Sequence, residues 1–131
     1  CAGTPDLGRE LAHREASSGR VIGSDFTPEM LERGREKTRG VPLFPAAGDT
    51  LRLPLCDGAC DGAMVGFGVR NLADLDAGLR ELARVLRPGG KLVILEFTTP
   101  RSRVLSVRSP IMLSLIRLVL VSSRLMFPKR I

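Results

Sequence analysis

Residues 74–97 read D-L-D-A-G-L-R-E-L-A-R-V-L-R-P-G-G-K-L-V-I-L-E-F, and this stretch decides the fold. Leu75, Leu79, Leu82, Ala83 and Leu86 recur at helical spacing, so Asp74 to Leu86 is predicted to be a helix with one apolar face. Arg84 and Arg87 suit the negative, C-terminal end of its dipole. Pro88-Gly89-Gly90 breaks the chain. Lys91 to Phe97 is then a near-continuous apolar run, the kind of strand that a parallel sheet buries on both faces.

The same alternation runs upstream. Asp6 to Ala16 is predicted as a helix, stopped by Ser17-Ser18-Gly19, and Arg20 to Ser24 as a short buried strand ending at Asp25. Thr27 then caps a helix with Pro28 in its first turn, running to about Arg39 before Gly40. Val41 to Ala47 is a strand whose two prolines put it near an edge. Gly48 to Gly58 is loop, Gly62 to Phe67 strand, and Gly68 to Asn71 loop. Helix and strand alternating at this length specify a layered α/β fold with right-handed crossovers and parallel strands. The strands ending at Asp25 and Ala47 are expected to pair, as are those at Gly62–Phe67 and Lys91–Phe97.

A chain of 131 residues that is 44% apolar and 26% charged suits one globular domain. Three cysteines make no disulfide framework and point to a reducing, cytoplasmic setting. Cys56 and Cys60 stand four apart without a second Cys/His pair and His13 is alone, so no metal site is expected. With no Trp and no Tyr, a stacked-aromatic nucleic-acid platform is not expected either. The net charge of +6 is unevenly placed: all 14 acids lie at or before Glu96, beside 13 basic residues, while residues 97–131 hold 7 basic residues and no acid. An apolar, basic tail of this kind suits an anionic membrane surface better than nucleic acid.

In an open parallel sheet the ligand sits at the carboxyl ends of the strands. Gly3 and Thr4 open the first helix, where backbone amides can approach a polar or anionic group. Asp25 closes the next strand, 21 residues after Thr4, at a distance that suits hydrogen bonding to a ribose diol. Asp49 follows the third segment, where a carboxylate can accept from an exocyclic amine. Together they describe a pocket for an adenosine-containing ligand. Taken singly, Asp25 also reads as a helix cap and Asp49 as a turn residue. The loop C-A-G-T-P-D-L lacks the G-x-G-x-x-G of a dinucleotide-binding oxidoreductase.

Five motifs occur in order: C-A-G-T-x-D-L, G-S-D-F-T-P-E-M-L, G-D-T-L-R-L-P, F-G-V-R-N and A-R-V-L-R-P-G-G-K-L-V-I-L-E-F. Over about residues 1–100 the chain resembles the ubiquinone/menaquinone biosynthesis C-methyltransferases, the demethylmenaquinone methyltransferases among them. The resemblance implies a Rossmann-like class I fold that binds S-adenosylmethionine and C-methylates a quinol ring. It implies that Gly3, Thr4 and Asp25 meet the cofactor, Asp25 at the ribose hydroxyls, with Asp49 and Thr50 at the adenine. Gly66 stands where the family often has a cofactor-side serine, and Arg70 and Asn71 face the methyl acceptor. Arg70 is then the candidate to stabilise a developing phenolate, with pairing to an acid as the alternative.

Two departures from the family pattern matter. Pro5 stands where the family has a second glycine, which removes an amide donor and fixes φ, so Pro5→Gly is expected to raise cofactor affinity. The family's first strand, between those ending at Asp25 and starting near Gly62, and its last strands and helix are unmatched, which reads as a fold truncated at both ends. Residues 1–100 are therefore expected to be a partial cofactor-binding domain. Residues 101–131 are read as a basic apolar tail, helical over 101–127 and broken near Pro110, with Ile111, Leu115, Leu118, Val119 and Met126 on one face. Peripheral contact with an anionic membrane is the expectation for that tail, and packing on the sheet the alternative. The alternative for the whole chain is an inactive fragment or a non-catalytic adenosine-binding or membrane-surface module.

Overall fold

The structure, a computed structural model, describes residues 1–14, 19–98 and 115–122. Helix α1 (Asp6–Arg14) leads to strand β1 (Val21–Asp25), helix α2 (Pro28–Gly34), a 3-10 turn (Glu36–Thr38) and strand β2 (Leu43–Ala47). Strand β3 (Cys60–Gly66), a 3-10 turn (Val69–Asn71), helix α3 (Leu75–Val85) and strands β4 (Leu86–Thr98) and β5 (Leu115–Ser122) follow.

Both expected parallel pairings are present. Val21 to Asp25 lie opposite Leu43 to Ala47, and Gly62 to Gly66 lie opposite Lys91 to Leu95. The strands form two sheets, β1-β2 and β3-β4-β5, and among the described residues β1 and β3 are not hydrogen-bonded neighbours. Pro45 sits in β2, whose one bonded neighbour is β1, so its missing amide costs no second ladder.

Three segments differ from the sequence reading. Helix α2 stops at Gly34, not near Arg39, and tightens into the 3-10 turn, where the Thr38 hydroxyl donates to the Arg35 carbonyl at 3.0 Å. Arg35 keeps right-handed helical angles there, and a Cβ at Gly34 would stand 2.5 Å from Pro5 Cδ, so this turn presses its backbone on the residue before α1. Pro88-Gly89-Gly90 does not separate helix from strand. β4 already begins at Leu86, which pairs with Cys60, and the register then jumps to Gly62–Lys91. The extra residues form a bulge with Gly89 at φ +85°, a conformation glycine adopts without strain.

The third difference is in the tail. Residues 115–122 are strand β5, antiparallel to β4 with Leu118 opposite Leu95, and not helix. L-I-R-L-V-L-V-S is rich in β-branched residues, and a short apolar run has no period that separates helix from strand. The pairing caps an edge of β4 that would otherwise stay open. The remaining residues assigned to that helix, and Glu15 to Ser18 of the first expected helix and stop, lie outside the described residues.

The main core sits between α3 and the β3-β4 sheet: Leu53, Val65, Leu82, Val85, Leu86 and Leu92. From α3, Leu79, Leu82 and Val85 face it, while Leu86, read from the sequence as part of the helix face, enters it as the first residue of β4. Each fully buried aliphatic side chain contributes roughly 1.5–3 kcal/mol. Asp74 starts α3 by accepting the Ala77 amide at 2.9 Å, an N-cap that stabilises the helix by about 1 kcal/mol.

Candidate functional site

An open cavity of about 730 Å³ lies at the carboxyl ends of β1 and β3. Gly3, Thr4, Asp25, Asp49, Thr50, Gly66 and Asn71 all line it, so seven of the eight expected site residues converge there. That convergence across 68 positions of sequence follows from the parallel topology, which puts every strand-to-helix loop at one end of the sheet.

Asp25 is the centre of the arrangement. Its Oδ2 accepts the Gly3 amide at 2.8 Å and its Oδ1 the Thr27 amide at 2.9 Å. Its carbonyl accepts the Gly48 amide at 2.9 Å. One residue thus ties together the α1 loop, the start of α2 and the loop after β2. Gly3 meets it at φ +58°, which explains the glycine. Burial pushes the Asp25 carboxyl up, but the Gly3 and Thr27 amides together with the Cys1 ammonium, 3.7 Å from Oδ2, outweigh it, and the group sits below the usual carboxylate range. Asp25 thus forms an Asx turn onto Thr27, the N-cap residue of α2, and is not itself the cap; the Thr27 side chain, expected to cap that helix, makes no cap hydrogen bond. An ionised carboxylate has about four acceptor positions, so two amides leave room for a diol.

Asp49 is a turn residue by the same test: its Oδ1 accepts the Leu51 amide and its carbonyl the Arg52 amide, both at 2.9 Å. Thr50 beside it is buried. The Thr4 hydroxyl donates to Asp6 Oδ2 at 2.7 Å, which with Lys37 Nζ at 3.0 Å lowers the Asp6 pKa.

Pro5 is fully buried. Gly34 and Gly23 make its seat, with built Cβ positions 2.5 Å and 3.4 Å from the ring. The ring is thus packed between two glycines, and the expected gain in cofactor affinity on Pro5→Gly is read by calorimetry on that variant. At Gly66 the space a side chain would take is filled by Leu7, whose Cδ1 stands 2.5 Å from a built Cβ.

Arg70 is the exception among the expected residues. It does not line the cavity. Its guanidinium pairs with Glu96 at 3.0 Å and stands 5.9 Å from the centre of the Phe67 ring, while its amide reaches Glu96 Oε2 at 3.4 Å. The pairing is with an acid at the end of β4, the alternative the sequence left open.

Sequence reasoning missed the apolar wall: Phe26, Met30, Phe67 and Leu72 also line the cavity. The signal is present in S-D-F and G-F-G, where an aromatic follows each strand end. Phe67 takes φ +56°, unusual for a residue with a Cβ and a mark of local strain beside a site. Among the described residues no group of three or more His, Cys, Asp or Glu could hold a metal ion.

The cavity suits a ligand of nucleoside size with both apolar and hydrogen-bonding parts. The fold is the Rossmann-like one of S-adenosylmethionine-dependent methyltransferases: it superposes on one from Aquifex aeolicus with a TM-score of 0.70 at 23% identity, over 78% of this chain and 56% of that one. It superposes equally on the [4+2]-cyclase SpnF, TM-score 0.71 at 23% identity over 78% and 38% of the two chains, so fold alone does not fix the chemistry.

The sequence narrows the class. Residues 1–115 match the ubiE/COQ5 methyltransferase family, and the chain belongs to it. It is 40% identical over 104 residues to a demethylmenaquinone methyltransferase of Desulfitobacterium hafniense, covering 76% of this chain and 41% of that protein. It is 49% identical over 92 residues to one of Mycolicibacterium gilvum, with 70% and 39% covered. A ubiquinone/menaquinone biosynthesis C-methyltransferase of Geobacter sp. is 43% identical over 104 residues, with 75% and 43% covered. The chain thus spans about two fifths of the length of these relatives.

Proposed function

We propose that the chain carries the cofactor site of an S-adenosylmethionine-dependent enzyme that C-methylates a demethylmenaquinol or a related quinol. The observation that carries this is the meeting of Gly3, Thr4, Asp25, Asp49, Thr50, Gly66 and Asn71 around one cavity, in a chain of this family. Asp25, ionised and held by two amides, accepts from the ribose hydroxyls. Asp49 and Thr50 receive the adenine edge, and the loop at Gly3 and Thr4 lies along the amino-acid portion. S-adenosylmethionine supplies an electrophilic sulfonium methyl when bound. What the protein adds is mainly alignment of the acceptor carbon with it. Asn71 faces the acceptor from inside the cavity. Arg70, half exposed and paired with Glu96 outside the cavity lining, would have to leave that pair to offer positive charge to an acceptor oxygen that loses its proton.

Titration calorimetry with S-adenosylmethionine tests the reading. The wild-type chain is expected to bind, and Asp25→Ala to bind more weakly by about 1–3 kcal/mol, since it leaves hydroxyl partners unpaired. A wild-type chain without heat of binding refutes the cofactor site. Binding without methyl transfer to a quinol favours the non-catalytic adenosine-binding alternative.

A quinol acceptor with an isoprenoid tail is lipid-soluble, and the basic residues of 101–131 suit an anionic bilayer surface, each contributing about 1 kcal/mol near it. No helix among the described residues is long and apolar enough to cross a membrane. Peripheral contact is therefore part of the proposal. Co-sedimentation with anionic vesicles that weakens with salt supports it, and a chain that stays in the supernatant at low salt refutes it.

A further inference from the structure

The loop between β2 and β3, residues 48–58, carries Asp49 and Thr50 to the cavity yet has little regular structure of its own. It is fastened at its start by the Gly48 amide to the Asp25 carbonyl. Its second fastening is on α3. Glu81 Oε1 accepts the Leu53 amide at 2.7 Å, and Arg84 Nη2 donates to the Leu53 carbonyl at 3.3 Å. Arg84 forks onto Glu81 through Nε and Nη2 at 2.8 and 2.7 Å, and reaches Asp57 through Nη1 at 2.6 Å. The Arg84 carbonyl takes the Gly58 amide at 2.9 Å. Both backbone polar groups of Leu53 are thus held by one ion pair, while the Leu53 side chain enters the core. Between Gly48 and Leu53 only four residues remain, folded into the Asp49 turn.

We propose that Glu81 and Arg84 are positioning residues for the adenine-facing edge of the cavity: by clamping Leu53 they hold Asp49 and Thr50 in place, although neither lines the cavity. The inference rests on the reading of that cavity as an adenosine site. A forked guanidinium is required, because a lysine offers a point charge and cannot bridge the carboxylate and the Leu53 carbonyl together. The clamp acts on one end of the ligand, so it affects adenosine and S-adenosylmethionine alike.

The test uses the full chain and its Glu81→Gln, Arg84→Met and Arg84→Lys variants. Calorimetry with adenosine and with S-adenosylmethionine gives the dissociation constants, thermal melting the stability, and amide exchange the protection of residues 49–53. Glu81→Gln and Arg84→Met are expected to raise both constants about tenfold, by the same factor for the two ligands, and to lose protection in that loop. Arg84→Lys falls between them and the wild type, and carries the test if Arg84→Met does not fold. Constants unchanged well below a lowered melting temperature overturn the inference, since a merely structural pair does that. A rise confined to S-adenosylmethionine overturns it too. A wild-type chain that binds neither ligand refutes the adenosine site itself, and the inference falls with it; a wild type that binds both while every variant matches it refutes the inference alone.

Discussion

The first half of the molecule and the second are held together by different forces. In the second half, from Leu53 to Leu92, six aliphatic side chains are buried against one another. In residues 1–49 the buried apolar side chains are Ala12, Leu31 and Leu43 with Pro5, while Ile22, Phe26 and Phe44 are exposed. What fastens that half is the carboxylate of Asp25, with its ties to Gly3 and Thr27, and the proline ring in its glycine seat. The cavity lies where the two halves meet. The lesson is that the second half supplies a rigid floor by apolar burial, and the first supplies directional groups that face a polar ligand.

The largest expected effect is in the floor. Leu92 is fully buried in the centre of β4. Leu92→Ala is expected to cost about 2–5 kcal/mol, the transfer loss plus the cavity left behind. Phe44→Ala, on the exposed face of β2, should stay within about 1 kcal/mol. Urea unfolding of both variants checks this. Equal losses would break the contrast, because they would show β2 to be as deeply packed as β4.

A second experiment sharpens the account of the first half. Pro5→Gly removes a buried ring and frees the unfolded chain, and Gly34→Ala drives a methyl into that ring. Each alone is expected to destabilise by about 1–3 kcal/mol. In the double variant the methyl has room, so the two losses should not add, with a coupling of at least about 0.5 kcal/mol. Strictly additive losses would mean that the glycine seat is not what accommodates the proline.

The contrast also explains what was legible in the sequence. The second half is readable because apolar burial leaves a period: Leu79 and Leu82 mark α3, though Leu75 on the same expected face is exposed, and the run from Lys91 marks β4. Gly3, Asp25 and Asp49 were readable as a site because parallel topology sends every strand end to one place. The end of α2 at Gly34 was not, because Arg35 keeps helical angles and only the hydrogen bonding tightens from α to 3-10 there. The placement of Arg70 on Glu96 was not either, since only the finished β3-β4 register brings them together. β5 was misread as helix because L-I-R-L-V-L-V-S has apolar residues at both periods, and the open edge of β4 decided between them. The clamp on Leu53 left no sequence signal, because it grips backbone groups.

The smallest expected effect separates the two halves by pH. The Glu81 carboxyl is lowered chiefly by its hydrogen bonds from Arg84, against burial, and the Asp25 carboxyl is lowered, against its burial, by the Gly3 and Thr27 amides and the Cys1 ammonium. Both ionise more readily folded than unfolded, so their contribution to stability is complete above the unfolded values of about 3.9 for Asp and about 4.3 for Glu. It is lost as pH falls from there through the lower folded values. Both side chains keep some solvent contact, 13% for Asp25 and 14% for Glu81, so the loss is modest beside that of Leu92→Ala. Urea unfolding between about pH 7 and about pH 2.5 reads it. Leu92→Ala changes neither carboxylate, and its stability curve should run parallel to the wild type, displaced downward at every pH. Asp25→Asn cannot titrate, and its curve should flatten on the acid side, leaving only the share that belongs to Glu81 and the exposed carboxylates. If Asp25→Asn falls as steeply as the wild type below about pH 4, the Gly3 and Thr27 amides do not favour the ionised form, and the first half is not fastened through that charge.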